Sequence, residues 1–168
     1  MNPFSTHIPV LLACLRHTTG PVLELGSGWY STPLLSAFAT DRLVRTVETN
    51  PDWYERVSQI VTHQPITKHR HQVVFVPDYD EAPVDDHEWD VVLLDHEPPP
   101  RRGVDAERLR GRCRLMIGHD SQHPAYGYGP VFETFKYRFT YARTGPWTTV
   151  VSDVDSLDWL EAALTPLW

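Results

Sequence analysis

Glu24, Gly26 and Gly28 alternate in VLELGSGWYSTPLL (residues 22–35), directly after a short apolar run. Glycines at such a place let the backbone come close to a ligand, and a helix opened by Ser31-Thr32-Pro33 offers free N–H groups to anionic atoms. The third glycine of the dinucleotide fingerprint is missing, since Ser31 stands three residues after Gly28. Taken alone, the pattern suits a ligand turn and a purely structural tight turn equally. Glu48 ends the next apolar run, where a carboxylate can accept two hydrogen bonds from ribose hydroxyls across the sheet; a solvated strand-end acid is the plain alternative. Two further acids, Asp95 and Asp120, close later apolar runs. In a parallel sheet that binds ligands at its carboxyl edge these two meet, and together they suit a hard cation. His96, His119 and His123 flank them in sequence, which brings a histidine base, or a softer ion such as manganese or zinc, into consideration.

Elements must exist to position these groups. Phe4, Ile8, Leu11, Leu12 and Leu15 repeat as on a helix over residues 4–16. VLEL is a short buried strand, and Thr32-Pro33 begins a helix with proline near its first position. RLVRTVE (42–48) is a second strand. Asn50-Pro51-Asp52 combines a side-chain cap, an N-terminal proline and a first-turn acid, and Trp53, Val57, Ile60 and Val61 follow on one face. QVVFV (72–76), DVVLLD (90–95) and RLMIGHD (114–120) are three more strands, with a helix near Asp105–Arg112 before the last of them. Apolar runs separated by helical patterns are what a parallel sheet covered on both faces requires. The expected class is α/β, a Rossmann-like doubly wound, mostly parallel sheet. After the Gly/Pro/Tyr loop at 121–130 come an expected helix at 131–139, a C-terminal β-hairpin flanking Gly145-Pro146, and a short amphipathic helix at 156–164.

Composition narrows the classes of function. The 168 residues suit one domain, 1–168, with a buried core. Twenty-two acidic against 15 basic residues, a formal charge of −7, argue against general binding to nucleic-acid backbones. Cys14 and Cys113 lack metal or disulfide spacing and are read as reduced core residues. The apolar stretch HIPVLLACL has neither a basic flank nor a cleavage signal, and no run is long enough to cross a membrane, so a soluble cytoplasmic protein is expected.

VLELGSGWYS, VETNPDWYERV and DVVLLDHEPP resemble motifs of the class I S-adenosylmethionine (SAM)-dependent methyltransferases, most of all the catechol O-methyltransferase-like branch. The similarity spans roughly residues 20–125, and the hairpin suits the last two strands of that fold. The resemblance implies SAM as cofactor, held by Glu24, Gly26, Ser27, Gly28, Tyr30 and Ser31 at its methionine end. It implies Glu48 and the adjoining Thr49 at the ribose, Asp78 at the adenine and Asp95 beside the methyl group. Trp29 or Trp53 is a candidate to stack on the cofactor, although large aromatics are more often core. At the reacting end it implies Asp95 and Asp120 as catalytic residues, with a divalent cation, magnesium or another, on Asp95, Asp120 and the residue after it; His96, next to Asp95, joins them as the candidate base from its place in the sequence. Such an ion lowers the pKa of a substrate hydroxyl and aligns it with the methyl group.

The sequence departs from that branch at two points. Ser121 takes the place of the Asn ligand, and HEPPP follows Asp95 without a lysine base. The loop from Gln122 to Pro130, with His123, Tyr126 and Tyr128, is the candidate acceptor wall. With one short N-terminal helix as a lid, the pocket is expected to be open or to be completed by a second copy in a homodimer or by a larger acceptor. The leading expectation is an O-methyltransferase acting on a small molecule. An N-methyltransferase, and a SAM-binding or interaction module with degraded catalysis, are the alternatives; the missing Lys and Asn favour the last.

Overall fold

Side chains alternate across a strand, so a strand of uninterrupted apolar residues needs a cover on both faces. β1 (Val22–Leu25) and β4 (Trp89–Leu94) meet that demand at the middle of the sheet: Leu23, Leu25, Val92 and Leu94 pack into one apolar layer, Val22, Val91 and Leu93 into the other. The computed structural model describes residues 2–63 and 70–165. The remaining strands are β2 (Val44–Glu48), β3 (His71–Phe75), β5 (Cys113–His119), β6 (Tyr137–Tyr141) and β7 (Thr148–Ser152). Their order is β3-β2-β1-β4-β5-β7-β6. The first five are parallel, while β7 runs antiparallel between β5 and β6.

Helices α1 (Ile8–His17), α2 (Ser31–Phe38) and α6 (Asp158–Ala163) cover one face through Leu11, Leu35 and Leu160. On the other face lie α4 (Arg101–Leu109), through Ala106 and Leu109, and α5 (Tyr128–Phe132). α3 (Pro51–Thr62) links β2 to β3 and buries Val57 and Val61. Asn50 caps it by accepting from the amides of Asp52 and Trp53. The chain moves from β1 outward to β3 and then returns to β4, so the carboxyl ends of β1 and β4 form a switch point, the usual place for a ligand in an open α/β sheet. This is the Rossmann-like doubly wound architecture with a C-terminal hairpin. Among the described residues no helix is long and apolar enough to cross a membrane. Cys14 is buried, Cys113 is half-buried, and both are free.

Three element boundaries differ from the sequence reading. The N-terminal helix starts at Ile8 rather than Phe4, because Pro9 lacks an N–H and is tolerated only in a first turn; Pro3–Ser5 is a separate 3-10 turn. α4 begins at Arg101, ahead of the expected Asp105, and runs through Gly103. A Cβ there would lie 2.5 Å from the Gly127 carbonyl, so this glycine records a close backbone approach instead of a helix break. The expected helix at 131–139 is in fact α5 followed by the start of β6. Tyr137, Phe139 and Tyr141 alternate in burial with Arg138 and Thr140, a period of two that tells strand from helix.

Candidate active site

The turn after β1 is shaped by two carboxylates beneath it. Gly26 has φ 88°, and a Cβ on it would fall 2.6 Å from the Asp95 carbonyl, so only glycine fits where the β1 and β4 ends approach. Glu24 is fully buried and accepts from the hydroxyls of Thr32 (2.8 Å) and Thr46 (2.6 Å) through Oε2. Thr32 in turn accepts from the Gly28 amide at 3.0 Å, so the carboxylate underwrites the glycine turn. Burial pushes the Glu24 carboxyl up to about 7, and its Oε1 has no hydrogen-bond partner among the described residues.

Glu48 joins this turn to α3. Its Oε2 accepts from the Ser27 amide (2.9 Å) and hydroxyl (2.6 Å), its Oε1 from the amides of Thr49 (2.9 Å) and Asn50 (2.8 Å). Those bonds use its lone-pair directions, so a ribose reaches Glu48 only when the Ser27 hydroxyl swings away. Asp78 lies off the cavity, exposed, capping the turn at Tyr79–Glu81 and facing Arg101 at 3.4 Å.

Ser27, Gly28, Tyr30 and Ser31 line one wall of a cavity of about 630 Å³, well within the size of small-molecule sites. Trp29 and Trp53 meet edge to face at its rim, with centroids 5.3 Å apart. Trp29 is 51% exposed, which corrects the expectation that it belongs to the core; it sits on the turn, where no layer covers it. The segment before α1 closes another side through Phe4 and His7, and Asn2 donates to the Tyr30 hydroxyl at 2.9 Å.

The opposite wall holds Asp95, after β4, and Asp120, after β5. Asp120 has φ 58°, the one non-glycine residue at positive φ among those described. The Arg102 guanidinium from α4 lies between the two acids, 3.1 Å from Asp95 Oδ1 and 3.2 Å from Asp120 Oδ2. It also donates to the carbonyls of His96 (2.6 Å) and His119 (3.2 Å) and lies 4.2 Å from the centre of the Tyr126 ring. His119 Nδ1 is 3.0 Å from Asp95 Oδ1, and its Nε2 is 3.0 Å from the Thr6 hydroxyl. Burial pushes the Asp95 carboxyl up, but the His119 hydrogen bond and the nearby cations outweigh it and hold Asp95 below the usual carboxylate range. His7 is buried beside Asp95 Oδ2 at 3.9 Å, and burial brings its imidazole down to about 4.

Two expected members of the reacting end lie elsewhere. His96 is buried on the α4 side, with Nε2 3.0 Å from Asp105 and its ring 4.3 Å from that of Tyr79; only its carbonyl serves the site, by holding Arg102. Ser121 accepts from the Thr149 hydroxyl at 2.8 Å, outside the cavity, which takes it away from any ligand set with Asp95. His96 follows Asp95 just past β4 and points to the other side of the chain, whereas Ser121 follows Asp120, whose left-handed backbone (φ 58°) re-aims the residues after β5. Of the expected acceptor wall, Tyr126 lines the cavity, Tyr128 is buried with its hydroxyl on the Leu94 carbonyl (3.0 Å), and His123 is exposed. The sequence reading missed Arg102 and His7. Arg102 stood within a basic pair after three prolines, and His7 preceded an apolar run, so neither carried a motif.

No protein-family model matches the chain, and none of the curated proteins matches it in sequence. Solved structures do resemble it in fold. The O-methyltransferase TomG from Streptomyces achromogenes, involved in tomaymycin synthesis and solved with SAM, is 18% identical at a TM-score of 0.63, over 86% of this chain and 78% of that one. An RNA methyltransferase from Salinibacter ruber, solved with S-adenosyl-L-homocysteine, is 16% identical at a TM-score of 0.61, over 86% and 90%. The N-terminal domain of human METTL16, also solved with that molecule, is 16% identical at 0.61, over 89% and 68%. The chain thus has the class I methyltransferase fold.

Proposed function

We propose that the chain is a single-domain SAM-dependent methyltransferase acting on an oxygen of a small molecule. The observation that carries this reading is one continuous cavity running from the glycine turn at Ser27–Ser31 to the charged wall at Asp95, Arg102 and Asp120. The residues present fit the cofactor: the turn is open over Gly28, where a Cβ would meet only Ser31 at 3.5 Å, and α2 begins at the turn. When bound, SAM would supply a methyl group on a positively charged sulfur: in-line displacement by an acceptor oxygen would leave a neutral thioether, and the hydroxyl proton would pass to Asp95, His7 or solvent.

The turn amides and α2 bind the methionine end, with Glu24 and Thr32 holding the loop in shape. Ser27 yields its place on Glu48 to the ribose. Trp29 and Trp53 cover the site and exclude water. Among the described residues Asp95 Oδ2 and the two His7 nitrogens carry no hydrogen bond, and both residues line the cavity, so they are the groups to receive or orient an acceptor hydroxyl. Positioning supplies most of the catalysis in such a displacement. The charge of −7 favours a small acceptor over an RNA backbone.

In the resemblance to the catechol O-methyltransferase-like branch, Asp95 and Asp120 serve a metal. Here Arg102 already neutralises part of that pair, so the chain is a variant of that arrangement. Calorimetric titration with SAM is the test, followed by transfer of labelled methyl to panels of hydroxylated and amino acceptors. Micromolar binding with a methylated oxygen is the expected result. Methylated amines would turn the reading to nitrogen, binding without transfer would leave a SAM-binding module, and absence of binding would overturn it.

A further inference from the structure

His7 is 1% exposed, yet among the described residues neither of its ring nitrogens has a hydrogen-bond partner. A buried imidazole left in that state is costly and calls for a missing partner. Its Nδ1 lies 3.9 Å from Asp95 Oδ2, and its ring centre is 4.5 Å from that of His119. His7, Asp95 and His119 each offer one ligand atom, and the three atoms lie within 4.8 Å of one another. Asp95 Oδ1 is taken by His119 and Arg102, which leaves Oδ2 directed toward His7.

We propose that His7, Asp95 and His119 bind a divalent transition-metal ion of borderline softness, such as Zn²⁺ or Co²⁺, in the cavity wall. Two imidazoles and one carboxylate suit such an ion and leave coordination positions open for water or an acceptor oxygen. Mg²⁺ and Ca²⁺ prefer all-oxygen shells, which this trio does not offer. Charge points the same way. Asp95 and Asp120 bring two negative charges against the single positive charge of Arg102, so the buried wall has a negative charge left for a cation to meet.

The surroundings also provide an outer partner for a ligand. His119 Nε2 is 3.0 Å from the Thr6 hydroxyl, and that hydroxyl lies 2.9 Å from the Pro146 carbonyl. With an ion bound and Thr6 donating to Pro146, His119 would donate from Nε2 to Thr6, and its Nδ1, no longer donating to Asp95, would turn its lone pair to the ion. An ion between Nδ1 and the carboxylate then replaces the His119–Asp95 hydrogen bond, while Thr6 fixes the tautomer as outer partners of metal-bound histidines do. This ligand set differs from the one that the resemblance implies, since His7 and His119 enter and Ser121 does not. The ion's use, holding an acceptor oxygen beside the methyl donor, rests on the methyltransferase reading; its binding does not.

Titrating chelator-stripped protein with Co²⁺, followed by ligand-field absorption, and with Zn²⁺ by calorimetry tests the site. One ion per chain is expected. His7→Phe fills the same space, breaks no hydrogen bond and removes one ligand atom. It should lower affinity by more than ~10-fold, the loss that follows even when an outer partner of a ligand is removed, with the unfolding midpoint of the ion-free protein no lower than before. If that variant does not fold, Asp95→Asn, close to it in shape, carries the same test. No uptake of either ion by the unaltered protein, or equal affinity in the folded variant, overturns the proposal. SAM binding measured in the presence of chelator is read separately, so failure of the ion site and failure of the cofactor site are distinguishable.

Discussion

The two walls of the cavity satisfy their carboxylates in different ways. At the turn, Glu24 and Glu48 meet only neutral donors, hydroxyls and backbone amides, and each bond also fixes a stretch of loop. Across the cavity, Asp95 and Asp120 meet a guanidinium and an imidazole, and Asp95 Oδ2 and both His7 nitrogens are left over. Neutral donors make a shaped cradle whose form does not vary with bound charge. The charged wall instead keeps spare ligand atoms in a low-dielectric place, where an ion or a reacting group gains most. Under the proposed function, cofactor shape and chemistry fall to separate walls, and substitutions on the two should fail differently.

The largest effect is expected from Arg102→Met. Removing the cation leaves Asp95 and Asp120 facing each other without it, which should cost about 3–5 kcal/mol in urea-induced unfolding. A loss below about 1 kcal/mol would mean that solvent, not Arg102, balances those acids. Gly26→Ala comes next, because strain at positive φ adds to a clash with the Asp95 carbonyl; about 2–4 kcal/mol should be lost, together with SAM binding. Were this variant to bind SAM normally, the turn would not be the cradle.

Glu24 sharpens the contrast through pH. Its folded carboxyl sits at about 7, above the 4.5 of an exposed glutamate, so between these values the folded state holds more protons than the unfolded one. Stability owed to this group therefore falls as pH rises through that window, by up to about 3 kcal/mol, and is flat above it. Glu24→Gln should gain on the unaltered protein by that amount between pH 4.5 and 7 in parallel denaturant titrations. A difference that does not vary with pH would return Glu24 to an ordinary ionised acid.

Glu48→Ala should cost about 1–3 kcal/mol both in stability and in SAM affinity, since four donors lose their acceptor. Loss of stability with unchanged affinity would make Glu48 a loop clamp and nothing more. The smallest effect belongs to Asp78→Ala, which removes an exposed ion pair with Arg101 worth less than about 1 kcal/mol. A drop in SAM affinity beyond about tenfold, roughly 1.4 kcal/mol, would place Asp78 at the adenine.

Much of this molecule is local. VLEL and WDVVLL are mostly apolar runs too short for helices, VRTVE is a similarly short run rich in β-branched residues, Asn50-Pro51-Asp52 is a helix start, and the Gly26 turn follows its strand directly. Runs of that kind fix a parallel sheet because burial on both faces is the only arrangement that hides them. From that sheet it also follows that acids closing β4 and β5 share an edge, which is why Asp95 and Asp120 could be paired from sequence. The direction of the next side chain could not, and His96 and Ser121 turned away from the cavity. Only the tertiary structure decided that α4 delivers Arg102 between the acids and that the segment before α1 delivers His7 to the same wall. His7 comes from a part of the chain far from Asp95, and Arg102, though only seven residues after Asp95, reaches both acids because the chain folds back between β4 and α4; no local propensity or spacing encodes either contact.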